Sequence, residues 1–291
     1  MRRLDGKIAL ITGAARGIGA ETARALDRRG VKLVLTDIDA APLKELAGEL
    51  GPERVVTAVC DVTDLTSMQE AVAAGVERFG GIDLVLANAG IGSYGSVKAI
   101  DPAVFKRVID VNLLGVFHTV RAALPSLIER KGYVLIVSSL AAFAPSPGLA
   151  AYNASKAGVE HFANALRLEL MRDGVGVGSA HMSWIDTPLV RDAKDDLPAF
   201  QKMLDSLPGP LGKTTSVDVC VQAFVKGLAD RKRRVYVPGW VGVMGWLKPV
   251  ITSRLGEREV RRHGGRLLPE IDAEVARMGR STSARYSALV D

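Results

Sequence analysis

Residues 7–19 read KIALITGAARGIG, an apolar run that leads directly into a loop with glycine at three positions. The β-branched run predicts a buried strand at 7–12, and the residues after the loop predict a helix. Gly13, Gly17 and Gly19 leave room for a phosphate to approach the backbone N–H groups at the N-terminus of that helix, where the helix dipole favours an anion. This order of strand, loop and helix is typical of a dinucleotide-binding βα unit.

The alternation of strands and helices continues outward from this unit to about residue 240. Further strands are predicted at 31–36, 55–59, 82–87, 134–138, 175–180 and 235–237. Helices are predicted at about 17–29, 40–50, 64–79, 101–130, 150–173 and 215–230. Continuous apolar strands are typical of a parallel sheet that is buried on both faces, with right-handed crossovers placing helices on each side. The sequence therefore predicts an α/β fold, a single Rossmann-like doubly wound parallel sheet of about seven strands, as one domain at 1–240.

Two segments differ from this alternation. Residues 188–214 contain four prolines and predict a lid-like excursion. Residues 241–291 form a basic extension, preceded by Trp240, with an apolar start up to Leu247 and an arginine-rich stretch at Arg254–Arg266. We expect a helical extension that packs on the same domain or at a subunit interface. An apolar run beside basic residues is also typical of contact with an anionic membrane surface.

Composition limits the classes of function. The two cysteines and four scattered histidines give no disulfide framework and no metal-ligand spacing, so no metal site is expected. The net charge is +6, but residues 231–291 carry 13 Lys/Arg and 6 Asp/Glu, so the rest of the chain is nearly neutral. A nucleic-acid-binding function driven by this basic tail is therefore disfavoured. The N-terminal apolar run is too short for a signal peptide, and a cytoplasmic protein is expected.

Tyr152 and Lys156 stand four residues apart in the helix predicted at 150–173. On a helix this spacing places the two side chains next to each other on one face. The pKa of a free tyrosine is about 10, which is too high for a base at neutral pH. An adjacent ammonium lowers that pKa because it favours the phenolate. The pair therefore predicts a general acid/base that exchanges a proton with an alcohol or a forming alkoxide.

Further motifs stand at the ends of predicted strands, where ligands of open α/β sheets bind. Asn88-Ala89-Gly90 follows the fourth strand, Ser139 follows the fifth, and Asn112 lies in the long helix at 101–130. Together with the GxxxGxG loop and the Tyr152/Lys156 pair, these motifs resemble the classical short-chain dehydrogenase/reductase family. The resemblance covers residues 4–240.

The resemblance implies a role for each matching residue. Ser139 hydrogen-bonds the substrate oxygen, Tyr152 is the acid/base, Lys156 also holds the nicotinamide ribose, and Asn112 holds a water that links Lys156 to solvent. The implied cofactor-binding residues are Gly13, Arg16, Gly17, Ile18, Gly19, Asp37, Asp61, Val62, Asn88, Ala89, Gly90, Tyr152, Lys156, Ile185 and Thr187. The family also implies a homodimer or homotetramer that pairs through the helices at 101–130 and 150–173.

The residues give opposing indications about the cofactor. Asp37 ends the second strand, where a carboxylate accepts hydrogen bonds from the adenosine ribose and repels a 2′-phosphate. Arg16 indicates the opposite, because a basic residue before the second glycine often accompanies NADP in the family. A carboxylate beside a phosphate is costly, so NAD is the expected cofactor and NADP the alternative.

The substrate pocket is expected to be formed by residues 91–95, 140–147 and 188–214. Leu140–Ala144 are apolar, which favours a hydrophobic small-molecule alcohol or carbonyl substrate. The sequence departs from the family after the sixth strand, where Met182 and Ser183 replace Pro-Gly. The next residue, Trp184, either walls the pocket or packs in the core.

The sequence thus predicts an NAD-dependent oxidoreductase that interconverts a secondary alcohol and a ketone, with Tyr152 as the acid/base. An NADP-dependent carbonyl reductase of the same family is one alternative. A non-catalytic nucleotide-binding scaffold on the same fold is another, although the presence of both Tyr152 and Lys156 disfavours it. The glycine spacing disfavours a sugar epimerase of the extended branch.

Overall fold

The structure is a computed structural model that describes residues 4–254 and 256–290, with the backbone alone for 259–266, 289 and 290. Its strands are β1 (Ile8–Thr12), β2 (Lys32–Asp37), β3 (Val55–Val59), β4 (Leu84–Ala87), β5 (Tyr133–Val137), β6 (Gly176–Met182) and β7 (Arg234–Val237). Its helices are α1 (Gly17–Asp27), α2 (Ala40–Leu50), α3 (Leu65–Phe79), α4 (Pro102–Ile109), α5 (Gly115–Glu129), α6 (Ala150–Glu169), α7 (Pro188–Asp196), α8 (Pro198–Ser206), α9 (Val217–Asp230), α10 (Val241–Ile251), α11 (Glu257–Met278) and α12 (Ala284–Val290). Each strand lies within two residues of its predicted position.

The strands form one parallel sheet in the order β3-β2-β1-β4-β5-β6-β7. The chain builds outward from β1 to β3 and then crosses back, so that β4 pairs with the other side of β1. This reversal opens a crevice at the carboxyl ends of β1 and β4, where ligands of open α/β sheets bind. The predicted doubly wound, Rossmann-like fold is confirmed.

Both faces of the sheet are buried along its central strands β1, β4 and β5, as their continuous apolar sequences predict. Ile11 of β1 lies in one core layer with Leu26 of α1 and Phe224 of α9. Its neighbour Leu10 lies in the other layer with Val120 of α5. Full burial of such a side chain contributes about 1.5–3 kcal/mol. A shift of register by one residue would exchange the two faces, so the packing holds each strand in register.

The long helix predicted at 101–130 contains an irregular turn. Helices α4 and α5 are joined by a turn of π-helix at Asp110–Leu114, and such turns occur often at functional sites. The fully buried Asn112 lies in this turn. The combined run Pro102–Glu129 has the length and apolar composition of a membrane span, but half of its most apolar window is buried inside the protein. Core helices of soluble proteins share these properties.

The segment predicted as a lid-like excursion is helical and forms α7, α8 and a short 3₁₀ turn. The C-terminal extension packs against it, with Ile271 of α11 beside Phe200 of α8. At the start of the extension, Val241 of α10 is buried against Phe143. The side chains of the arginine-rich stretch from 259 to 266 lie outside the described residues.

A buried ion network joins α6, β6 and β7. The carboxylate of Glu160 pairs with the guanidinium of Arg234 and lies 2.8 Å from Nε2 of His181. The ring of Phe143 stacks on His181 with a centroid distance of 4.4 Å. Burial by itself raises the pKa of Glu160, but the hydrogen bonds and charges of His181 and Arg234 outweigh burial and hold that pKa far below its ordinary value.

We predict that Glu160→Gln lowers the free energy of unfolding by about 3 kcal/mol, because Arg234 loses its buried counter-charge. The folded-state pKa of Glu160 is depressed, so its contribution is present above the unfolded pKa of 4.5 and is lost as the pH falls toward the folded value. Urea unfolding at neutral and at acid pH measures both effects. Glu169→Gln, an exposed change on the same helix, is the control. Equal stability of the two variants at neutral pH would contradict the prediction.

Candidate active site

The crevice between β1 and β4 is held together by Asn88. Its side-chain amide donates to the carbonyl oxygens of Thr12 and Gly13, each at 3.0 Å. Gly13 has a positive φ of 63°, and a Cβ there would lie 2.9 Å from the Cα of Ala89. A Cβ on Gly19 would lie only 2.1 Å from the carbonyl oxygen of Gly13. The close contact of loop, β4 and α1 therefore requires these glycines.

The N-terminus of α1 is open to a ligand. Helices α3 and α4 begin with Asp64 and Asp101, whose carboxylates each accept a backbone N–H of the first turn. Helix α1 instead begins after Arg16, with no capping side chain and no acidic residue in its first turn. Free N–H groups at a helix N-terminus bind phosphate, so the cleft fits the pyrophosphate of a dinucleotide.

Asp37 lies at the carboxyl end of β2 and lines the same cleft. One of its carboxylate oxygens accepts the N–H of Ala15 at 2.8 Å, and the other accepts the N–H of Asp39 at 3.0 Å. Each oxygen keeps a further lone pair for a ribose hydroxyl. Arg16 pairs with the carboxylate of Asp39 at 2.6 Å. The charge of Arg16 is thus compensated before any ligand binds.

Asp61, just after β3, is held by residues that the motifs do not identify. The guanidinium of Arg107 donates to its carboxylate at 2.7 Å and to the hydroxyl of Tyr286 at 2.8 Å. Burial by itself raises the pKa of Asp61, but hydrogen bonds from Arg107 and Thr63 bring it below its ordinary value. Arg107 and Tyr286 both line the cleft. No spacing in the sequence connects them with Asp61, and the part of Asp61 in binding the cofactor stays a prediction.

The C-terminal extension returns to this cleft. Arg280 forms a two-point ion pair with Asp196, at the end of α7, with distances of 2.6 and 2.8 Å. Arg285 pairs with Asp192 of the same helix at 3.1 Å. Arg285 and Tyr286 line the cleft from the side of the extension. The last helix therefore supplies part of the wall of the cofactor site.

Most of the predicted cofactor-binding residues line this cleft. They are Gly13, Arg16, Gly17, Ile18, Asp37, Asp61, Val62, Asn88, Ala89, Gly90, Tyr152, Lys156 and Thr187. Gly19 packs against Gly13 instead. The side chain of Ile185 also lies elsewhere, because a β-bridge to Thr215 turns it into the core. A ligand contact at Ile185 is therefore left to its backbone.

Tyr152 and Lys156 lie one turn apart on α6. Nζ of Lys156 lies 5.6 Å from the centre of the Tyr152 ring and donates to the carbonyl oxygen of Val137 at 3.0 Å. Burial lowers the pKa of Lys156 to about 8. Burial also raises the pKa of Tyr152, and a hydrogen bond with Ser139 opposes this shift. The adjacent ammonium is expected to lower the pKa of Tyr152, but burial raises that pKa, and Nζ of Lys156 is directed to the carbonyl oxygen of Val137.

Ser139 begins the 3₁₀ turn that follows β5. Its hydroxyl accepts the N–H of Ala141 at 3.1 Å and donates to the carbonyl oxygen of Met182 at 3.5 Å. Its own carbonyl oxygen lies 3.4 Å from Nδ1 of His181. The buried network of Glu160 and Arg234 therefore extends to the backbone of the serine.

Asn112 connects the π-turn to two neighbouring segments. Its amide nitrogen donates to the carbonyl oxygen of Ile91 at 3.0 Å and to the hydroxyl of Ser155 at 3.1 Å. Its amide oxygen accepts the N–H of Ile91 at 2.8 Å. These bonds fix the loop after β4 against α6, beside Tyr152 and Lys156. A water held by Asn112 stays a prediction.

A second cavity, of about 620 Å³, adjoins Tyr152. The three segments predicted for the substrate pocket all contribute to its walls. Trp184 lines the cavity and also packs edge-on against Phe200, with ring centroids 5.3 Å apart. The extension adds Met244, Ile251, Leu267, Leu268 and Ile271, which the motifs do not identify. Among the described residues, no Asp, Glu, Lys, Arg or His lines this cavity.

The sequence model of the short chain dehydrogenase family matches residues 7–198. The chain belongs to the short-chain dehydrogenase/reductase family. The mitochondrial borneol dehydrogenase of Lavandula x intermedia is 36% identical over 254 residues, which cover 84% of this chain and 93% of that protein. The 11-beta-hydroxysteroid dehydrogenase 1A of Arabidopsis thaliana is 34% identical over 248 residues, which cover 82% of this chain and 70% of that protein.

A solved structure shows the same architecture. The 3-ketoacyl-(acyl-carrier-protein) reductase from Brucella melitensis, in a complex with NADH, superposes with a TM-score of 0.70 at 29% identity. The alignment covers 80% of this chain and 97% of that chain. This dehydrogenase fold therefore carries a nucleotide cofactor in a relative, and the cleft described above is the corresponding candidate site.

We predict that the double variant Arg285→Ala/Tyr286→Ala raises the Kd for NADH roughly tenfold, equivalent to about 1.4 kcal/mol. The change removes one guanidinium and one ring from the wall of the cleft. Nicotinamide fluorescence titration measures the effect. Arg277→Ala, an exposed change in the same extension, is the control. An unchanged Kd in the double variant would show that α12 plays no part in the cofactor site.

Proposed function

We propose that this short-chain dehydrogenase interconverts a bulky, neutral secondary alcohol and its ketone with NAD. The observation that carries the proposal is the cavity of about 620 Å³ beside Tyr152, which no charged side chain lines among the described residues. A charged substrate would have to leave water without a counter-charge in these walls, at a large cost. A compact apolar substrate gains from burial instead.

The relatives support this class of substrate. One is named for borneol and the other for 11-beta-hydroxysteroids. Both names describe alcohols on rigid, apolar carbon rings. The walls of the cavity are mainly aliphatic and aromatic side chains. Serine hydroxyls, such as those of Ser139 and Ser183, offer polar contacts among them. Such a lining orients a substrate by few hydrogen bonds and excludes water.

The dinucleotide supplies the hydride chemistry, and the chain handles the proton. The hydroxyl of Ser139 hydrogen-bonds the substrate oxygen and orients it toward Tyr152. In the direction of reduction, the hydroxyl of Tyr152 donates its proton to the forming alkoxide oxygen and becomes a phenolate; in the direction of oxidation, the phenolate takes the proton of the alcohol. Lys156 has a pKa of about 8, so it gains or loses a proton close to neutral pH. Asn112 fixes the loop and helix that hold these groups.

The charges of the cleft support NAD over NADP. A 2′-phosphate next to Asp37 would also meet Asp39, whose carboxylate already occupies the guanidinium of Arg16 at 2.6 Å. The phosphate would therefore face two carboxylates with no free arginine between them. Ribose hydroxyls suit the same site, because they donate to the free lone pairs of Asp37.

We also propose that two copies pair through α5 and α6. Phe117 on α5 and Leu168 on α6 are large apolar side chains that are exposed in the single chain, as is Met171 just beyond α6. Burial of these side chains against a second copy would remove them from water. Analytical ultracentrifugation of the purified protein tests this pairing, and a monomer at all concentrations would exclude it.

We predict that Tyr152→Phe lowers kcat for cyclic secondary alcohols roughly a thousandfold, because the proton loses its acceptor. Binding of NADH should be unchanged. Absorbance of NADH during turnover and fluorescence titration measure the two effects. Tyr236→Phe, a change outside both cavities, is the control. Turnover by Tyr152→Phe near the wild-type rate would overturn the assigned mechanism.

We predict that Asp37→Ser/Asp39→Ser raises the NADPH/NADH affinity ratio roughly a hundredfold, about tenfold for each removed carboxylate. The double change also frees Arg16 for the phosphate. Titration of each reduced cofactor measures the ratio. Glu45→Gln, an exposed change on α2, is the control. A wild-type ratio in the double variant would exclude these carboxylates as the selective groups.

A further inference from the structure

Helix α10 has an apolar face that no described part of the protein covers. Trp246 is 85% exposed and Val250 is 56% exposed. Val243 and Leu247 are exposed beside them. The spacing i, i+3, i+4 and i+7 places these four side chains on one face of the helix. A contiguous apolar patch of this kind on a soluble protein marks an interaction site.

The other face of α10 belongs to the substrate cavity. Met244 and Ile251 line that cavity, and Val241 is buried against Phe143. The helix is therefore apolar on both sides, which is typical of helices with both sides buried. The side with Met244 and Ile251 is buried at the cavity, and the side with Trp246 and Val250 contacts no described part of the protein. A single helix thus separates the cavity from whatever covers the exposed face.

The charges next to this face identify the occupant. Arg254 and Arg258, in the segment that follows α10 beyond Val250, are exposed. Lys248 is exposed too, but it stands two positions from Trp246 and therefore lies on the other side of the helix. Between 241 and 258 the sequence contains one acidic residue, Glu257. Apolar and tryptophan side chains beside basic residues match the interface of an anionic membrane, where rings lie at headgroup depth and cations meet lipid phosphates.

A second copy of the chain fits this face less well. A two-fold interface places the same patch of both copies against each other. Such pairing would bring Arg254 and Arg258 of both copies together, with Glu257 as the one acidic residue between 241 and 258 in each copy. Like charges brought together in an interface disfavour association.

We propose that the exposed face of α10 docks on an anionic lipid surface, and that the adjoining cavity receives its apolar substrate from that surface. The inference that this face binds lipid depends on the exposed residues alone. The inference that the substrate enters from the lipid rests on the proposed function. Partition of a ring alcohol into a bilayer raises its local concentration at the cavity wall.

Co-sedimentation with vesicles tests the docking surface. The wild-type protein should bind vesicles of phosphatidylcholine mixed with phosphatidylglycerol, and bind vesicles of phosphatidylcholine alone more weakly. Trp246→Asp and Val250→Asp should each weaken binding at least roughly tenfold, through loss of apolar burial. Val97→Asp, at an apolar side chain that is 73% exposed elsewhere, is the matched control and should bind as the wild type does.

Two further variants separate charge from insertion. Arg254→Gln should weaken binding about fivefold on the anionic vesicles and leave binding to neutral vesicles unchanged. Trp246→Phe should still bind, but the blue shift of tryptophan emission on vesicles should be largely lost. The two tryptophans left in this variant, Trp184 and Trp240, do not belong to the docking face. Both results support a helix that lies in the headgroup region.

Three results would overturn the proposal. The first is absence of wild-type binding to either kind of vesicle. The second is wild-type binding by Val250→Asp. The third is self-association of the wild-type protein without lipid that Trp246→Asp abolishes, which would assign the face to a second copy. Turnover of a water-soluble alcohol should be the same in Trp246→Asp and wild type. Vesicle binding without turnover of any alcohol would refute the proposed function and leave the docking surface supported.

Discussion

The contact between the glycine loop and the end of β4 is the constraint on which the site depends. Asn88 holds the carbonyl oxygens of Thr12 and Gly13, and the loop passes so close to Ala89 and to α1 that side chains at Gly13 and Gly19 would collide with backbone. The reversal of strand order between β1 and β4 opens the crevice, and this contact sets its shape. The N-terminus of α1, the loop after β4 and helix α6 all meet there.

Burial sets the protonation of the two candidate catalytic groups on α6. Tyr152 and Lys156 are adjacent, as their spacing requires, yet burial moves their pKa values toward the neutral forms, upward for the tyrosine and downward for the lysine. Each hydrogen bond in such a site is stronger than it would be in water. The Ser139 hydroxyl therefore becomes an important partner of Tyr152, and the network under its backbone, from His181 to Arg234, fixes where that hydroxyl lies.

The C-terminal extension makes the two cavities parts of one assembly. Its helices α10 and α11 form walls of the cavity beside Tyr152, while Tyr286 lines the cleft at the glycine loop and bonds Arg107 there. Ion pairs with Asp192 and Asp196 attach the extension to α7. The family model matches residues 7–198, so this segment lies outside the matched region and still contributes to the walls of both cavities.

The sequence by itself determined the sheet, the glycine loop and the Tyr152/Lys156 pair, because strand burial, close backbone approach and helical spacing are local properties. Only the tertiary structure decided which polar partners meet. Arg16 binds Asp39, and Lys156 binds the Val137 carbonyl. Arg107 binds both Asp61 and Tyr286, and Tyr286 lies 179 positions from Arg107 in the sequence. Such contacts follow from how helices pack across the sheet and leave no periodic trace in the chain. The same reason explains the π-turn at Asn112, the turning of Ile185 into the core and the place of the extension.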